Sequence, residues 1–327
     1  MRRLLPALLA TALAVAAACT PGGPGEPAPS PTGPTIAVGT GPDAESRLLA
    51  AVMAELLVAA GIPAEVVDFA DSGDARQAIE LGAIDVRAAY TGEAWLEVLE
   101  RADPPADPRT SFTRVQEFDE RNGLVWMRPR FVPDGGISTP PANATFAFVV
   151  RGPPSIDADV RTMSQLATRL AERPDEELCV DEEFAARSDG LPAVFETYRI
   201  RLDYNVLATP PQEAARLVAA GRCIAGLSTA TDPQAWLLNL RPLVDDLQVF
   251  PAFVVVPQYR EEVRREEPGI VPALAPLASN LTTELLGRWN ARLAAGEPRA
   301  LVATEAAREL LDLAGRLPAA PVGDPTA

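Results

Sequence analysis

Residues 74–95 combine two hydrophobic patterns that predict a helix followed by a strand. Apolar residues at helical spacing run up to Gly82, and glycine is common just past the end of a helix. The short apolar run at 84–89 is typical of a buried strand, and it ends on Tyr90-Thr91. Because ligands of open α/β sheets collect at the carboxyl ends of strands, we predict that Tyr90 and Thr91 contact a ligand.

A second stretch, residues 213–230, repeats this order of elements. Its predicted helix ends at Gly221, its strand spans about 223–227, and the strand tip is Ser228-Thr229. Two similar α/β units, each with a polar strand tip, indicate a ligand held in a cleft between two lobes.

The remaining pattern extends the same α/β arrangement over most of the chain. Further strands are predicted at 35–38, 65–69, 124–127, 145–150, 178–180, 202–207 and 253–256. Further helices are predicted at 43–60, before residue 122, and at 162–173, 191–199, 268–279, 282–295 and 298–315, with a loop at 184–190.

A glycine turn follows the first predicted strand and opens the first long helix. The spacing Gly39-x-Gly41-x-x-Ala44, with Asp68 at the end of the next strand, is also found in dinucleotide-binding folds. A single match of this kind is a weak signal, and an exported protein has little access to a dinucleotide. We therefore favour a glycine turn that lines the cleft.

The two ends of the chain lack the composition of a folded core. Two arginines and an apolar stretch too short to span a membrane comfortably precede Cys19, which follows three alanines. This pattern predicts a lipoprotein signal peptide over 1–19 with Cys19 lipidated; ordinary cleavage beside an unmodified Cys19 is the alternative. The proline- and glycine-rich residues 20–34 predict a tether, and 317–327 predict a disordered tail.

The composition of the chain favours a binding protein over an enzyme. The formal net charge is −16, which disfavours nucleic acid as a partner. The chain contains no histidine, so Ser-His-Asp and Cys-His nucleophiles and histidine-based metal sites are excluded. The sequence also lacks phosphate-loop and calcium-loop patterns. We therefore expect neither an enzyme nor a cofactor or metal site.

Two cysteines lie in the second predicted lobe, near the starts of predicted strands. In an exported chain, Cys179 and Cys223 would form a disulfide. Two separate buried thiols are the other interpretation, and the sequence does not choose between them.

Five motifs, the second of them in two parts, resemble those of a known family and occur in the same order. They are GAIDVRAAYTGE at 82–93, GLVWMRP at 123–129 followed by NATFA at 143–147, RSDGLPAV at 187–194, LSTA at 227–230 and FPAF at 250–253. The family is the substrate-binding proteins of osmoprotectant ABC transporters, which bind glycine betaine, choline, carnitine or proline betaine. The resemblance covers about residues 35–315.

The resemblance implies a fold and a set of domains. The implied fold is an α/β, two-lobe type II periplasmic binding protein fold with a ligand cleft between the lobes. The first lobe would comprise 35–145 and, after the chain returns, 253–316, and the second lobe would comprise 146–252.

The resemblance also implies a ligand site and partners. The aromatic cage positions fall on Tyr90, Phe146, Leu227 and Phe253, and a carboxylate-binding arginine falls on Arg187. The full set of expected ligand-binding residues is Tyr90, Thr91, Glu93, Phe146, Arg187, Leu227, Ser228 and Phe253. The implied role is extracytoplasmic delivery of a quaternary ammonium or betaine-type osmolyte to an ABC permease, from a lipid anchor on the membrane.

Departures from the family pattern leave the ligand open. Leu227 has no aromatic face, and Gly41 stands where some members carry a basic residue. A bulkier or more apolar cation is the alternative ligand. A sensor or scaffold lipoprotein with an altered ligand and no transport role is the alternative function.

Overall fold

The computed structural model describes residues 33–132, 136–201 and 203–316. The predicted signal peptide with Cys19, nearly all of the tether and the C-terminal tail lie outside these ranges. No helix among the described residues is both long and apolar enough to cross a bilayer.

The chain alternates strands and helices in the described ranges. The strands are β1 (Ile36–Thr40), β2 (Ala64–Asp68), β3 (Val86–Tyr90), β4 (Leu124–Trp126), β5 (Phe146–Arg151), β6 (Leu178–Val180), β7 (Val206–Ala208), β8 (Ala225–Thr229), β9 (Leu240–Pro242) and β10 (Val255–Arg260). The helices are α1 (Ala44–Ala59), α2 (Ser72–Glu80), α3 (Thr91–Glu93), α4 (Pro108–Glu120), α5 (Met163–Glu172), α6 (Glu182–Ala186), α7 (Leu191–Tyr198), α8 (Ala214–Ala219), α9 (Pro233–Leu237), α10 (Glu261–Glu266), α11 (Ile270–Asn280), α12 (Thr283–Ala294) and α13 (Arg299–Arg316). A π-helical segment, Ala94–Val98, directly follows α3.

Within the described residues the strands form two mixed, five-stranded sheets. The first has the order β2-β1-β3-β10-β4, in which β1 is parallel to β2 and β3 while β10 is antiparallel to β3 and β4. The second has the order β7-β6-β8-β5-β9, in which β6 is parallel to β7 and β8 while β5 is antiparallel to β8 and β9. The predicted α/β architecture with two sheets is confirmed.

The chain crosses between the sheets before β5 and again before β10. The two crossing segments pair with each other, because Asn143 and Val254 form an antiparallel bridge. The backbone N–H of Ala144 donates to the Phe253 carbonyl at 3.0 Å, and the Phe253 N–H donates to the Asn143 side-chain oxygen at 2.7 Å. These two hydrogen-bonded segments connect the two sheets along the chain.

Helix α1 illustrates how the sequence pattern builds the first core. Asp43 accepts a hydrogen bond from the Ser46 N–H at 2.8 Å and so caps the helix. The helix ends before Gly61, which has a φ of +81° that suits glycine. One face of α1 is buried against β2, α11 and α13, through Leu48, Leu49, Val52, Met53, Leu56 and Leu57.

The core of the second sheet contains the two cysteines. The structure joins Cys179, in β6, to Cys223, which lies just before the neighbouring strand β8, in a disulfide with a Cα–Cα distance of 5.8 Å. Both residues are buried, together with Val149 and Val218.

Several predicted element boundaries were wrong. Strand β7 spans 206–208, not 202–207, because Tyr204 turns inwards and its hydroxyl donates to the Arg173 carbonyl at 2.7 Å. The predicted loop at 184–190 begins inside α6, which is capped by Asp181 through a 2.8 Å bond from the Phe184 N–H. Strand β10 begins at Val255, two residues later than predicted, because Phe253 belongs to the crossing segment.

Candidate ligand-binding site

The carboxyl ends of β1 and β3 open onto one cavity of about 260 Å³. The end of β1 contributes Gly39, the turn after it contributes Gly41, and the end of β3 contributes Tyr90. Parallel strands β1 and β3 are neighbours, so their ends meet at one edge of the sheet. The other lining residues are Thr40, Asp43, Ser46, Ser72, Ala75, Arg87, Ala88, Glu93 and Phe253.

The half-buried carboxylate of Glu45 holds the Tyr90 side chain in place. The Tyr90 hydroxyl donates to Glu45 Oε1 at 2.8 Å, and the Asn290 side-chain amide donates to Glu45 Oε2 at 2.6 Å. Burial raises the pKa of Glu45, while hydrogen bonds from Thr231, Tyr90 and Asn290 act in the opposite direction. Burial, with the nearby Glu45 charge, also raises the pKa of the Tyr90 phenol well above its usual range. Tyr90 is therefore a neutral, positioned aromatic ring.

The Phe253 ring lies directly on the backbone of Gly92. A Cβ atom at Gly92 would stand 2.5 Å from ring atoms Cδ2 and Cε2 and 2.6 Å from Cζ, which is far inside normal contact distance. Glycine is thus needed at position 92 for the ring to reach the cavity. Because Tyr90, Glu93 and Phe253 all line this cavity, three of the predicted site residues come together.

Thr91, also predicted to contact a ligand, is not among the residues that line this cavity. Its side chain is buried, and its hydroxyl donates to the Ala252 carbonyl at 3.1 Å and accepts from the Val254 N–H at 3.0 Å. The hydroxyl is therefore occupied by the crossing segment before β10. Thr91 fastens the tip of β3 to that segment and does not line the cavity.

In the second lobe, Phe146 stands in a cluster of phenylalanines at the start of β5. Its ring centroid lies 5.5 Å from that of Phe184 and 6.2 Å from that of Phe250. Phe146 and Phe250 also line a separate cavity of about 520 Å³, with Thr145, Asp245 and Asp246 among its other walls. The second lobe thus presents aromatic faces of its own.

The predicted residue Leu227 contributes apolar bulk beneath this surface. It is buried in β8, directly opposite Phe148 in β5, and belongs to the same core as Phe184 and Phe250. It lines neither of the two cavities. Its neighbour Ser228 donates its hydroxyl to Asp232 at 2.5 Å.

The structure does not bring Arg187 into either cavity. Its guanidinium is exposed and makes a bidentate pair with Asp189, at 3.0 Å from Nε and 2.7 Å from an Nη atom. The neighbouring carboxylate therefore occupies the guanidinium fork that was predicted to hold a ligand carboxylate. A role for Arg187 in ligand binding remains a prediction.

Sequence reasoning missed two charged residues at this site. Glu45 lies in the first turn of α1 and was hidden in a long helical pattern. Arg87 interrupts the apolar run of β3, and a charge inside a buried strand is a signal that could have been followed.

Two α/β lobes joined by paired crossing segments, with a cavity at the strand ends, define a two-lobe type II periplasmic binding protein. The solved structure of apo YehZ from Escherichia coli has this fold, with a TM-score of 0.73 and 26% sequence identity over 86% of this chain and 99% of that chain. A solved structure described as a glycine betaine/carnitine/choline ABC transporter also has this fold, with a TM-score of 0.70 and 20% identity, covering 84% of this chain and 98% of that one.

Sequence comparison specifies the family. Residues 34–312 match the family model described as the substrate binding domain of ABC-type glycine betaine transport system. The glycine-betaine-binding protein of Pseudomonas aeruginosa is 30% identical over 275 residues, which cover 79% of this chain and 82% of that protein. The glycine betaine-binding protein YehZ of Escherichia coli is 27% identical over 268 residues, 79% of this chain and 85% of that protein. The chain belongs to this family, as the five sequence motifs indicated.

Proposed function

We propose that this protein is an extracytoplasmic receptor that binds a betaine-type quaternary ammonium zwitterion and delivers it to the permease of an ABC importer. The observation that carries the proposal is the cavity lined by Tyr90, Phe253 and Glu93. Aromatic faces attract cations that lack strong hydrogen-bond donors, and a carboxylate adds charge of the right sign. Membership of the glycine betaine family supports the same ligand class.

Closure of the two lobes would complete the site. We propose that the lobes comprise 35–145 with 253–316, and 146–252, and that they move about the paired crossing segments. Phe146 is the first residue of β5 and directly follows the first crossing segment. On closure it would approach the first-lobe cavity. This accounts for aromatic residues that line two separate cavities in the present structure. Hinge closure of this kind is common in periplasmic binding proteins.

We also propose that the protein is held at the outer face of the membrane by a lipid on Cys19. The apolar leader, the small residues before Cys19 and the tether at 20–34 support this anchor. Replacement of Cys19 with alanine should release the protein from the membrane fraction into the soluble extracytoplasmic fraction. Continued retention of that variant in membranes would contradict the anchor.

Calorimetric titration of the purified protein with glycine betaine, proline betaine, carnitine and choline tests the proposed function. We expect micromolar binding of at least one zwitterion. Tyr90→Ala should weaken this binding about tenfold or more, because it removes an aromatic face. Tyr90→Phe is the matched control and should retain most of the affinity because it keeps that face. Absence of binding to all four ligands, or equal affinity in Tyr90→Ala, would contradict the proposal.

A further inference from the structure

Arg87 is a buried cation that no predicted role explains. It lies in β3, three residues before Tyr90, and only 5% of its surface is exposed. Arg87 is nevertheless one of the residues that line the 260 Å³ cavity, together with Tyr90, Glu93 and Phe253. An arginine in this position is both withdrawn from bulk water and open to a ligand.

The side chain is held by a buried hydrogen-bonded chain. Arg87 Nε donates to Gln258 Oε1 at 2.9 Å, and Gln258 stands directly opposite Arg87 in β10. Gln258 in turn donates to Asp119 at 2.6 Å. Since Gln258 is itself fully buried and bonded at both ends, it fixes the plane of the Arg87 guanidinium.

The nearest network carboxylate is already neutralised by another arginine. Asp119 forms a bidentate pair with Arg76, with two bonds of 2.7 Å, and also accepts a bond from the Trp126 indole at 2.6 Å. Among the residues that the structure describes, no carboxylate oxygen lies within the 4.0 Å salt-bridge distance of the Arg87 guanidinium. Its charge is therefore balanced only at longer range.

A buried, unpaired guanidinium is energetically costly. Burial lowers the pKa of Arg87, and the Glu93 charge acts against this shift. An arginine side chain still keeps its proton in proteins, so the group stays cationic. A carboxylate that enters the cavity and pairs with it would relieve the cost of burial and gain charge-assisted hydrogen bonds.

We propose that Arg87 is the residue of the first lobe that binds the anionic group of the ligand, so that the cavity selects a zwitterion over a simple cation. This inference rests on the proposed function, since it assigns one end of a betaine-type ligand. The carboxylate lies on Arg87, and the quaternary ammonium group lies against Tyr90 and Phe253, near the Glu93 carboxylate. The ligand class is a quaternary ammonium compound that carries a carboxylate.

Glycine betaine and choline provide the test, because both carry a trimethylammonium group and only the former carries a carboxylate. Their affinities are measured by calorimetry for the unmodified protein and for Arg87→Met, with thermal unfolding as a control for folding. We expect Arg87→Met to lower glycine betaine affinity about 10- to 100-fold, the usual range for a lost hydrogen-bonded charge partner. Choline affinity should stay the same or rise, because a nearby positive charge has been removed.

Other outcomes overturn the inference in distinct ways. An equal loss for both ligands would assign Arg87 a structural role only, and no loss for either would exclude it from the site. If the unmodified protein binds neither of these ligands, and neither proline betaine nor carnitine, the betaine-type function fails together with the inference; if it binds one of the latter two zwitterions, that zwitterion takes the place of glycine betaine in the test. If it binds glycine betaine and Arg87→Met binds equally well, only the inference fails.

A second variant keeps the question open to test if Arg87→Met does not fold. In Arg187→Ala, Arg87 is untouched, and the exposed alternative anchor is removed. We expect this variant to keep at least a tenfold preference for glycine betaine over choline. A complete loss of that preference would make Arg187 the sole carboxylate anchor and would overturn the inference.

Discussion

Replacement of Gly92 with alanine should disturb both the stability of the protein and its ligand site. The added methyl group would stand 2.5 Å from two Phe253 ring atoms, whereas carbon atoms normally approach to about 3.5 Å. The ring would therefore have to retreat by roughly 1 Å. The backbone cannot yield easily, because Thr91 is hydrogen-bonded to Ala252 and Val254, and the Phe253 N–H to Asn143.

Overpacking of this kind usually costs about 1–3 kcal/mol. We expect the free energy of unfolding of Gly92→Ala, measured by urea denaturation followed by circular dichroism, to fall by that amount. Glycine betaine affinity should also fall at least about tenfold, because the displaced Phe253 ring makes a poorer contact with the ligand. A loss of about 1.4 kcal/mol in binding free energy corresponds to a tenfold weaker affinity. Gly315→Ala is the control, because a Cβ at Gly315 meets no atom within 4 Å. A Gly92→Ala protein with unchanged stability and unchanged affinity would refute the packing of Phe253 on Gly92.

Three further predictions concern the interior. Replacement of both Cys179 and Cys223 with alanine should lower the free energy of unfolding by about 4 kcal/mol, from the chain entropy of a 44-residue separation; an unchanged urea midpoint would contradict the bridge. Asp119→Asn should cost about 1.5–3 kcal/mol, measured in the same way, because it removes the buried partner of Arg76 and leaves only the exposed Glu80 carboxylate to pair with it; a loss below 1 kcal/mol would contradict a buried pair. Glu45→Gln should flatten the pH dependence of stability. The raised pKa of Glu45 means that its favourable contribution is complete below about pH 4.3 and is lost as pH rises through the folded-state pKa. Parallel wild-type and variant curves of unfolding free energy against pH would contradict a raised pKa of Glu45 in the folded protein.

Local sequence signals predicted the fold well where one pattern determined the outcome. The buried face of α1 and the cap at Asp43 both follow from spacing within a few residues. Strand β7 is shorter than the pattern predicts, because the Tyr204 side chain turns inwards and donates a hydrogen bond to the carbonyl of Arg173, at the end of α5. The alternation of side chains alone cannot reveal such a partner.

The sequence predicted only part of the candidate site, namely the residues that local patterns or family motifs mark. The rule that ligands gather at strand ends led to Tyr90, and family motifs led to Glu93 and Phe253. The sequence could not show that Arg187 is paired on the surface with Asp189, nor that Arg87 faces the cavity without a carboxylate partner. The first fact depends on the conformation of a single loop, and the second depends on where Gln258 and Asp119, from distant segments, lie beside Arg87.

A crystal structure of the protein with glycine betaine bound would test the central claim most directly. We predict that the trimethylammonium group lies against Tyr90 and Phe253, and that the carboxylate lies about 2.7–2.9 Å from the Arg87 guanidinium. The second lobe should have closed so that Phe146 contacts the ligand. A ligand bound away from the 260 Å³ cavity, or a carboxylate that pairs elsewhere while Arg87 stays unpaired, would contradict the account.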